Sequence, residues 1–281
     1  MSLPRSLYDD VVPALARTAA IEVIPLRGAE EKLRGVPLGS TVTITCSPKS
    51  GITRTLELSE VAVRAGHRVV PHVAARQVAD RAQLRGIVAR LSDLGISELF
   101  VIGGDATDDS GAFPDATSLL DALADLDHGL TRIGVGCYPE GHPSIGDEAL
   151  VESLRHKQVH ADYMVSQLCF DAGTVVTWLR TVREAGIELS LRIGLAAPLN
   201  PRKLLELSLR IGVGSSVRFL SRQHGMVGHL LLGGVYRPEE LLAGFGGDLV
   251  AEDLRIEGLH LFSFNQVQAA VDWQKRISQG G

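Results

Sequence analysis

The sequence predicts a single α/β domain of the (β/α)8 TIM-barrel class, and three observations predict it. Eight short β-rich apolar runs alternate with longer helix-patterned stretches along the 281 residues. Most of these runs are apolar almost without interruption, as strands covered on both faces of a parallel sheet are. Their spacing, about 35 residues, accommodates one strand and one crossover helix per repeat.

In order, the runs occupy residues 20–25, 41–46, 68–73, 98–102, 132–137, 163–168, 189–195 and 258–264. Helical spacing of Val78, Ala82, Leu84, Ile87, Val88 and Leu91 predicts a helix over 77–94, stopping before Gly95. A second helix is predicted over 174–185, with Asp171 as its cap and Gly186 as its stop. Pro201 suits the first position of a third, over 202–211. The connection before the last strand, 196–257, is unusually long and is expected to hold an extra helix. No composition break divides the chain, so one domain is expected over 1–281. An open doubly wound sheet is the alternative fold, but no Gly-x-Gly-x-x-Gly follows the first run.

Composition narrows the function classes. The chain is 45% hydrophobic and 22% charged, an ordinary globular balance. A net charge of -5 and the lack of a dense Lys/Arg block argue against nucleic acid. No apolar run of about 18 residues occurs, which argues against a membrane span. Three cysteines, Cys46, Cys137 and Cys169, with no close pair, and a start interrupted by Pro4, Arg5, Asp9 and Asp10, predict a cytoplasmic protein.

In a barrel of this class, function gathers where the strands end and the βα loops converge. Six consecutive strands here deliver a polar group to that end: Glu22, Thr45, His72, Asp105, Tyr138 and Gln167. Singly, each has a plain explanation. His72 suits a satisfied core histidine, Tyr138 an aromatic plug and Asp105 a helix cap. Their placement on one side favours a site. Glu22 stands out, because a carboxylate inside an apolar strand is costly to bury unless paired or protonated. Burial favours the protonated form, which suits a general acid working near neutral pH.

These residues resemble the methylenetetrahydrofolate reductases. The resemblance rests on Glu22, Thr45 with Ser50-Gly51, Pro71-His72 and Gly104-Asp105. It continues through Tyr138-Pro139-Glu140-Gly141-His142-Pro143, Leu154-Arg155-His156-Lys157 and Ser166-Gln167-Leu168-Cys169-Phe170-Asp171, and it ends at Leu259-His260-Leu261-Phe262-Ser263-Phe264-Asn265. It implies reduction of 5,10-methylenetetrahydrofolate to 5-methyltetrahydrofolate by a reduced nicotinamide, NADH or NADPH. It implies Glu22 as proton donor, Asp105 as stabiliser of an iminium cation, Gln167 as reader of the pterin edge and Asn265 as a further substrate contact. Thr45, His72, Gly104, Tyr138, His142 and Lys157 would line the cofactor pocket.

Departures from the pattern bear on the cofactor. Family members holding FAD usually carry arginine where this chain has Gly103, and an acidic residue where it has Leu150. His160 replaces a small residue, and Gln266 stands where an arginine often follows Asn265. Gly103 and Leu150 remove handles for the flavin, while Gln266 bears on the folate's glutamate tail or the nicotinamide, and the resemblance leans toward the flavin-free relatives, in which hydride passes directly to the folate. Two other readings stay open: a zinc-thiolate methyltransferase using the three cysteines with His72 and His142, and a folate-binding barrel without turnover. The acidic stretch from Asp105 to Asp109 reads as a loop rather than a cation site.

Overall fold

The computed structural model describes residues 5–104, 111–200, Glu206 and 236–279. Among them, eight strands pair in chain order and close into a barrel: β1 (Ala20–Val23), β2 (Thr41–Ile44), β3 (Arg68–Ala74), β4 (Glu98–Ile102), β5 (Arg132–Cys137), β6 (Tyr163–Ser166), β7 (Ser190–Ala196) and β8 (Ile256–Phe262). Every ladder is parallel, including the closing β1–β8 pair. All strand carboxyl ends therefore open on one mouth. The predicted first, second and sixth strands each run two residues past the observed ends, because their apolar residues continue into the mouth after the regular ladder stops.

Outside the barrel lie α1 (Arg5–Thr18), α2 (Ala29–Leu33), α3 (Gly51–Arg64), α4 (Arg81–Asp93), α5 (Ala116–Ala124), α6 (Asp147–Lys157), α7 (Ala172–Glu184), α8 (Pro238–Phe245) and α9 (Val267–Ser278). The helix predicted over 77–94 is divided. A 3-10 turn at Ala75–Gln77 comes first, and α4 begins only after Asp80, whose carboxylate accepts from the Gln83 N–H at 2.7 Å. Asp171 caps α7 as predicted, accepting from the Gly173 N–H at 3.0 Å and the Thr174 hydroxyl at 2.8 Å. The long connection before β8 contains α8, with Pro238 in its first turn. The helix predicted over 202–211 lies outside the described residues. No helix among those described is long and apolar enough to cross a membrane.

A period of two is hidden inside the continuous apolar runs. Ile21, Val23, Val42, Ile44, Val69, Leu99, Val101, Ile133, Val135, Met164, Leu191, Ile193, Leu259 and Leu261 join the main core. The alternate residues face the barrel axis, where Val70, Phe100, Tyr163 and Val165 form a second cluster with Ile102 and Phe262. Both faces are buried, so hydropathy alone does not separate them.

The end opposite the mouth is closed by charge. Arg192 lies over the Tyr163 ring, 3.7 Å from its centroid, and bonds Glu98 at 2.7 Å and Glu257 at 2.8 Å. Arg132 adds two bonds to Glu257, at 2.8 and 2.9 Å. An end sealed in this way contributes to stability, and it leaves the mouth as the place for chemistry.

Candidate functional site

Glu22 is carried on β1 with its side chain toward the axis, and the residue is only 6% exposed. Its carboxylate meets the imidazole of His260 on β8, with Nε2 to Oε2 at 3.4 Å. The backbone there is stitched tightly. Ser263 donates its hydroxyl to the Glu22 carbonyl, while the Asn265 side chain accepts from the Ile24 N–H at 2.9 Å and donates to the Ile24 carbonyl at 3.1 Å. Phe264 and Asn265 both hold positive φ, 48° and 61°, which costs energy in non-glycine residues and is sustained by these bonds. The amide of Asn265 is therefore committed to β1 here, and it fixes the entrance beside Glu22.

Next to Glu22, β2 and β3 present polar atoms without partners. Thr43 stands level with Glu22 in the β1–β2 ladder. The hydroxyls of Thr43 and Thr45, Nε2 of His72 and Nε2 of Gln77 are all buried, and none has a hydrogen-bond partner among the described residues. Native proteins satisfy nearly all buried polar groups, so four orphans on two neighbouring strands and the segments just after them mark a place for a ligand's own polar edge. Burial, aided by the nearby His260, pushes the His72 imidazole down to about 3. His72 is thus a neutral ring at physiological pH. It packs against Phe100 at 4.7 Å, and His260 packs against Phe262 at 4.6 Å.

Further round the mouth, Gln167 follows β6. Its N–H is anchored to the Cys137 carbonyl at 2.8 Å, and its side-chain oxygen accepts from the Leu168 N–H at 2.9 Å. Tyr138 meets His142 edge to face at 5.0 Å, and His142 Nδ1 lies 3.2 Å from the Ser144 hydroxyl. Lys157 ends α6 in a half-buried position beside Cys137 and Leu154. Desolvation pulls its ammonium below the ordinary value, against the opposing influence of Asp115 and Cys137. Gly104 has φ +87, and a Cβ there would lie 2.9 Å from that of Ala74, so the chain needs glycine where β4 passes into its loop. Asp105 lies outside the described residues, as does the acidic stretch after it.

Two groups at the mouth were given no role by the sequence. His260 lies within the last-strand motif 259–265, but nothing in that motif marks it as a site residue. Arg76, in the turn after β3, donates to the carbonyls of Gly104 at 3.1 Å and Pro114 at 2.8 Å. It thereby places a guanidinium beside the loop whose own position 103 is glycine. No sequence pattern links positions 76 and 103; only the barrel brings them together.

The cysteines do not assemble. Cys46 lies 3.4 Å from the Gln77 amide oxygen, Cys169 contacts Glu140 at 3.2 Å, and Cys137 faces the helices with the main core. Burial raises all three thiols, with the Glu140 charge adding to the effect at Cys169. Among the described residues, no group of three His, Cys, Asp or Glu side chains converges as metal ligands do, so the zinc-thiolate reading lacks its ligand set.

A groove of ≈ 450 Å³ adjoins the mouth between α6 and α7, where Tyr138, Leu150, Val151 and Trp178 form its walls. At position 150 the wall is a hydrocarbon side chain. With this geometry in view, one comparison decides the family. The family model for methylenetetrahydrofolate reductase matches residues 28–205. The chain belongs to the methylenetetrahydrofolate reductase family. Membership supports a folate-related reduction and binding of a folate substrate.

Three solved structures with which the chain shares similarity are distant ones. A plant class V chitinase mutant from Cycas revoluta is 9% identical, with 93% of this chain and 99% of that one covered and a TM-score of 0.50. A putative phosphonomutase from Burkholderia cenocepacia is 10% identical over 98% and 100%, with a TM-score of 0.48. Dihydropteroate synthase from Thermus thermophilus is 15% identical over 92% and 91%, with a TM-score of 0.43. At 9% identity, the chitinase likeness speaks for a shared barrel fold alone.

Proposed function

We propose that this protein, working in the cytoplasm, reduces 5,10-methylenetetrahydrofolate to 5-methyltetrahydrofolate with a hydride taken directly from NADH or NADPH. The observation that carries the reading is the buried Glu22 carboxyl beside four unpartnered polar groups at the mouth of a barrel of this family.

The chemistry asks for a proton and a hydride. Glu22 gives a proton to N10 of the folate, the bond from N10 to the bridging methylene breaks with its electron pair staying on N10, and a cationic iminium forms at N5. The methylene carbon then takes a hydride from C4 of the reduced nicotinamide, leaving 5-methyltetrahydrofolate and oxidised nicotinamide. The role of stabilising the developing cation falls to Asp105 by the family resemblance, since preorganised negative charge there would lower the barrier. Gln167 reads the pterin edge with its donor and acceptor, and Asn265 shapes the substrate entrance. Thr45, His72, Gly104, Tyr138, His142 and Lys157 line the nucleotide pocket. His72 offers hydrogen bonding without charge, which suits an uncharged carboxamide.

FAD fits these residues poorly. Position 103 offers no side chain, although a Cβ there would meet nothing within 4 Å, and Leu150 sets hydrocarbon where FAD-holding members carry an acid, the acceptors of that groove being Glu140, Asp147 and Asp171 instead. Anaerobic NADH and NADPH oxidation by methylenetetrahydrofolate, with and without added FAD, tests the proposal. Turnover without flavin is expected, and Glu22→Gln should lower it by about 10²- to 10⁴-fold, the usual worth of a general acid. Strict dependence on added FAD would overturn direct transfer, and full activity in Glu22→Gln would overturn the acid's identity.

A further inference from the structure

We infer that His260 is the positioning residue of Glu22, holding one carboxyl oxygen so that the other faces the substrate nitrogen. The inference rests on the proposed reduction for its kinetic meaning and on geometry for its substance. His260 is the one hydrogen-bond partner of the Glu22 carboxylate among the described residues, and both side chains are almost wholly buried. Water is thereby largely kept from doing the same work.

The imidazole is held rigidly. His260 is 2% exposed, with Phe262 at 4.6 Å, His72 at 6.2 Å and Phe100 at 6.5 Å between ring centroids. The β1–β8 ladder, in which Ala20 pairs with His260 and Ile21 with Leu261, sets Glu22 on the neighbouring strand. The bonds from Ser263 and Asn265 to Glu22 and Ile24 prevent the two strands from sliding. A preorganised donor of this kind costs no reorganisation when charge appears.

One tautomer serves both states of the acid. With a proton on Nε2, His260 donates to Oε2 while the carboxyl is protonated, which leaves the proton on Oε1 for the folate. After transfer, the same N–H donates to a full carboxylate, a stronger bond than to a neutral acid. The Nε2 to Oε2 separation of 3.4 Å is long for a resting hydrogen bond, so there is room to shorten as negative charge builds on Glu22. An interaction that strengthens along the reaction raises kcat and leaves substrate binding nearly untouched. His72 does not share the role, since its Nε2 has no partner among the described residues.

Two histidine variants and one spectroscopic measurement test this. His260→Phe keeps the aromatic packing and removes the donor, so kcat should fall about 30-fold, the worth of a hydrogen bond to a charged group, with KM for folate changing less than about threefold. His260→Gln restores an N–H donor and should recover most of the loss. In ¹⁵N-histidine spectra of the intact protein, Nε2 of His260 should be the protonated nitrogen. Glu22→Gln should move that resonance and leave those of His67 in place. Unchanged kcat in His260→Phe, a matched rise in KM, or an unprotonated Nε2 in the wild type would overturn the inference. The spectra need no turnover. If the wild type fails to reduce methylenetetrahydrofolate, the functional reading falls while the pairing is still decided.

Discussion

Replacing Gly194 by alanine links the fold to the site, because this glycine lies on β7 between the β6 backbone and the aromatic ring that packs on His260. A Cβ at position 194 would lie 2.1 Å from the Ser166 carbonyl oxygen and 2.6 Å from Cε2 of Phe262. The Phe262 ring can swing away, but the carbonyl belongs to a strand already paired on both sides. Overpacking of this kind costs about 1–3 kcal/mol, with the upper end expected where backbone must move. Parting the strands also strains the bond from the Gly194 N–H to the Ser166 hydroxyl, 2.8 Å long and buried, worth about 1 kcal/mol more. The sum, about 4 kcal/mol, corresponds to a fall in Tm of roughly 8 °C for a domain of this size. Circular-dichroism melting would measure it, with Gly86→Ala as control. That helix position has open space around it, so alanine there should stabilise by up to about 1 kcal/mol. Because Phe262 must turn from His260, Gly194→Ala should also lose kcat at temperatures where it is fully folded. A Tm within about 2 °C of the wild type would refute the steric argument, since about 1 kcal/mol is all that such a shift allows.

His72 should make the fold sensitive to acid. Its imidazole titrates at about 3 in the folded protein, against about 6.5 in an unfolded chain. Between those values the unfolded state binds the extra proton, so this contribution is present above pH 6.5 and is lost as pH falls toward 3. At about 1.4 kcal/mol per pH unit, roughly 2 kcal/mol should disappear between pH 6.5 and 5. Guanidinium unfolding across that range should show the slope in the wild type and lose it in His72→Phe; parallel curves would contradict the buried neutral ring. At the opposite end of the barrel, Arg192→Met leaves Glu98 and Glu257 without their shared cation. A loss of about 3 kcal/mol is expected, as for a largely buried pair that loses one partner, while kcat at 25 °C stays within twofold. A large fall in kcat with intact stability would mean that the charged seal acts on the mouth.

Much of the fold was legible from residue order. Eight apolar runs at barrel spacing, Asp171 ahead of a helix and Gly186 after it all became observed features, because they depend on local propensity and on burial of both strand faces. The division of the 77–94 segment was not legible, since helical spacing continues across Asp80 while the capping bond that starts α4 depends on backbone geometry there. Glu22 could be singled out because a carboxylate in an apolar strand conflicts with its surroundings. Its partner could not: a histidine 238 positions away is one residue among many until β8 closes on β1. The same holds for Arg76 beside Gly104 and for the orphaned hydroxyls of Thr43 and Thr45, which differ from ordinary strand threonines only in having no neighbour to bond.

By itself, then, the sequence determined the barrel class, the family and the side of the barrel on which polar residues would collect. Those depend on periodicity and on motifs read within a few residues. Tertiary structure alone decided which polar groups meet: Glu22 with His260, Arg192 with two glutamates at the far end, and the cysteines with three separate neighbours. Such meetings are set by ladder register and barrel closure, which join residues far apart in the chain and leave no trace in local sequence.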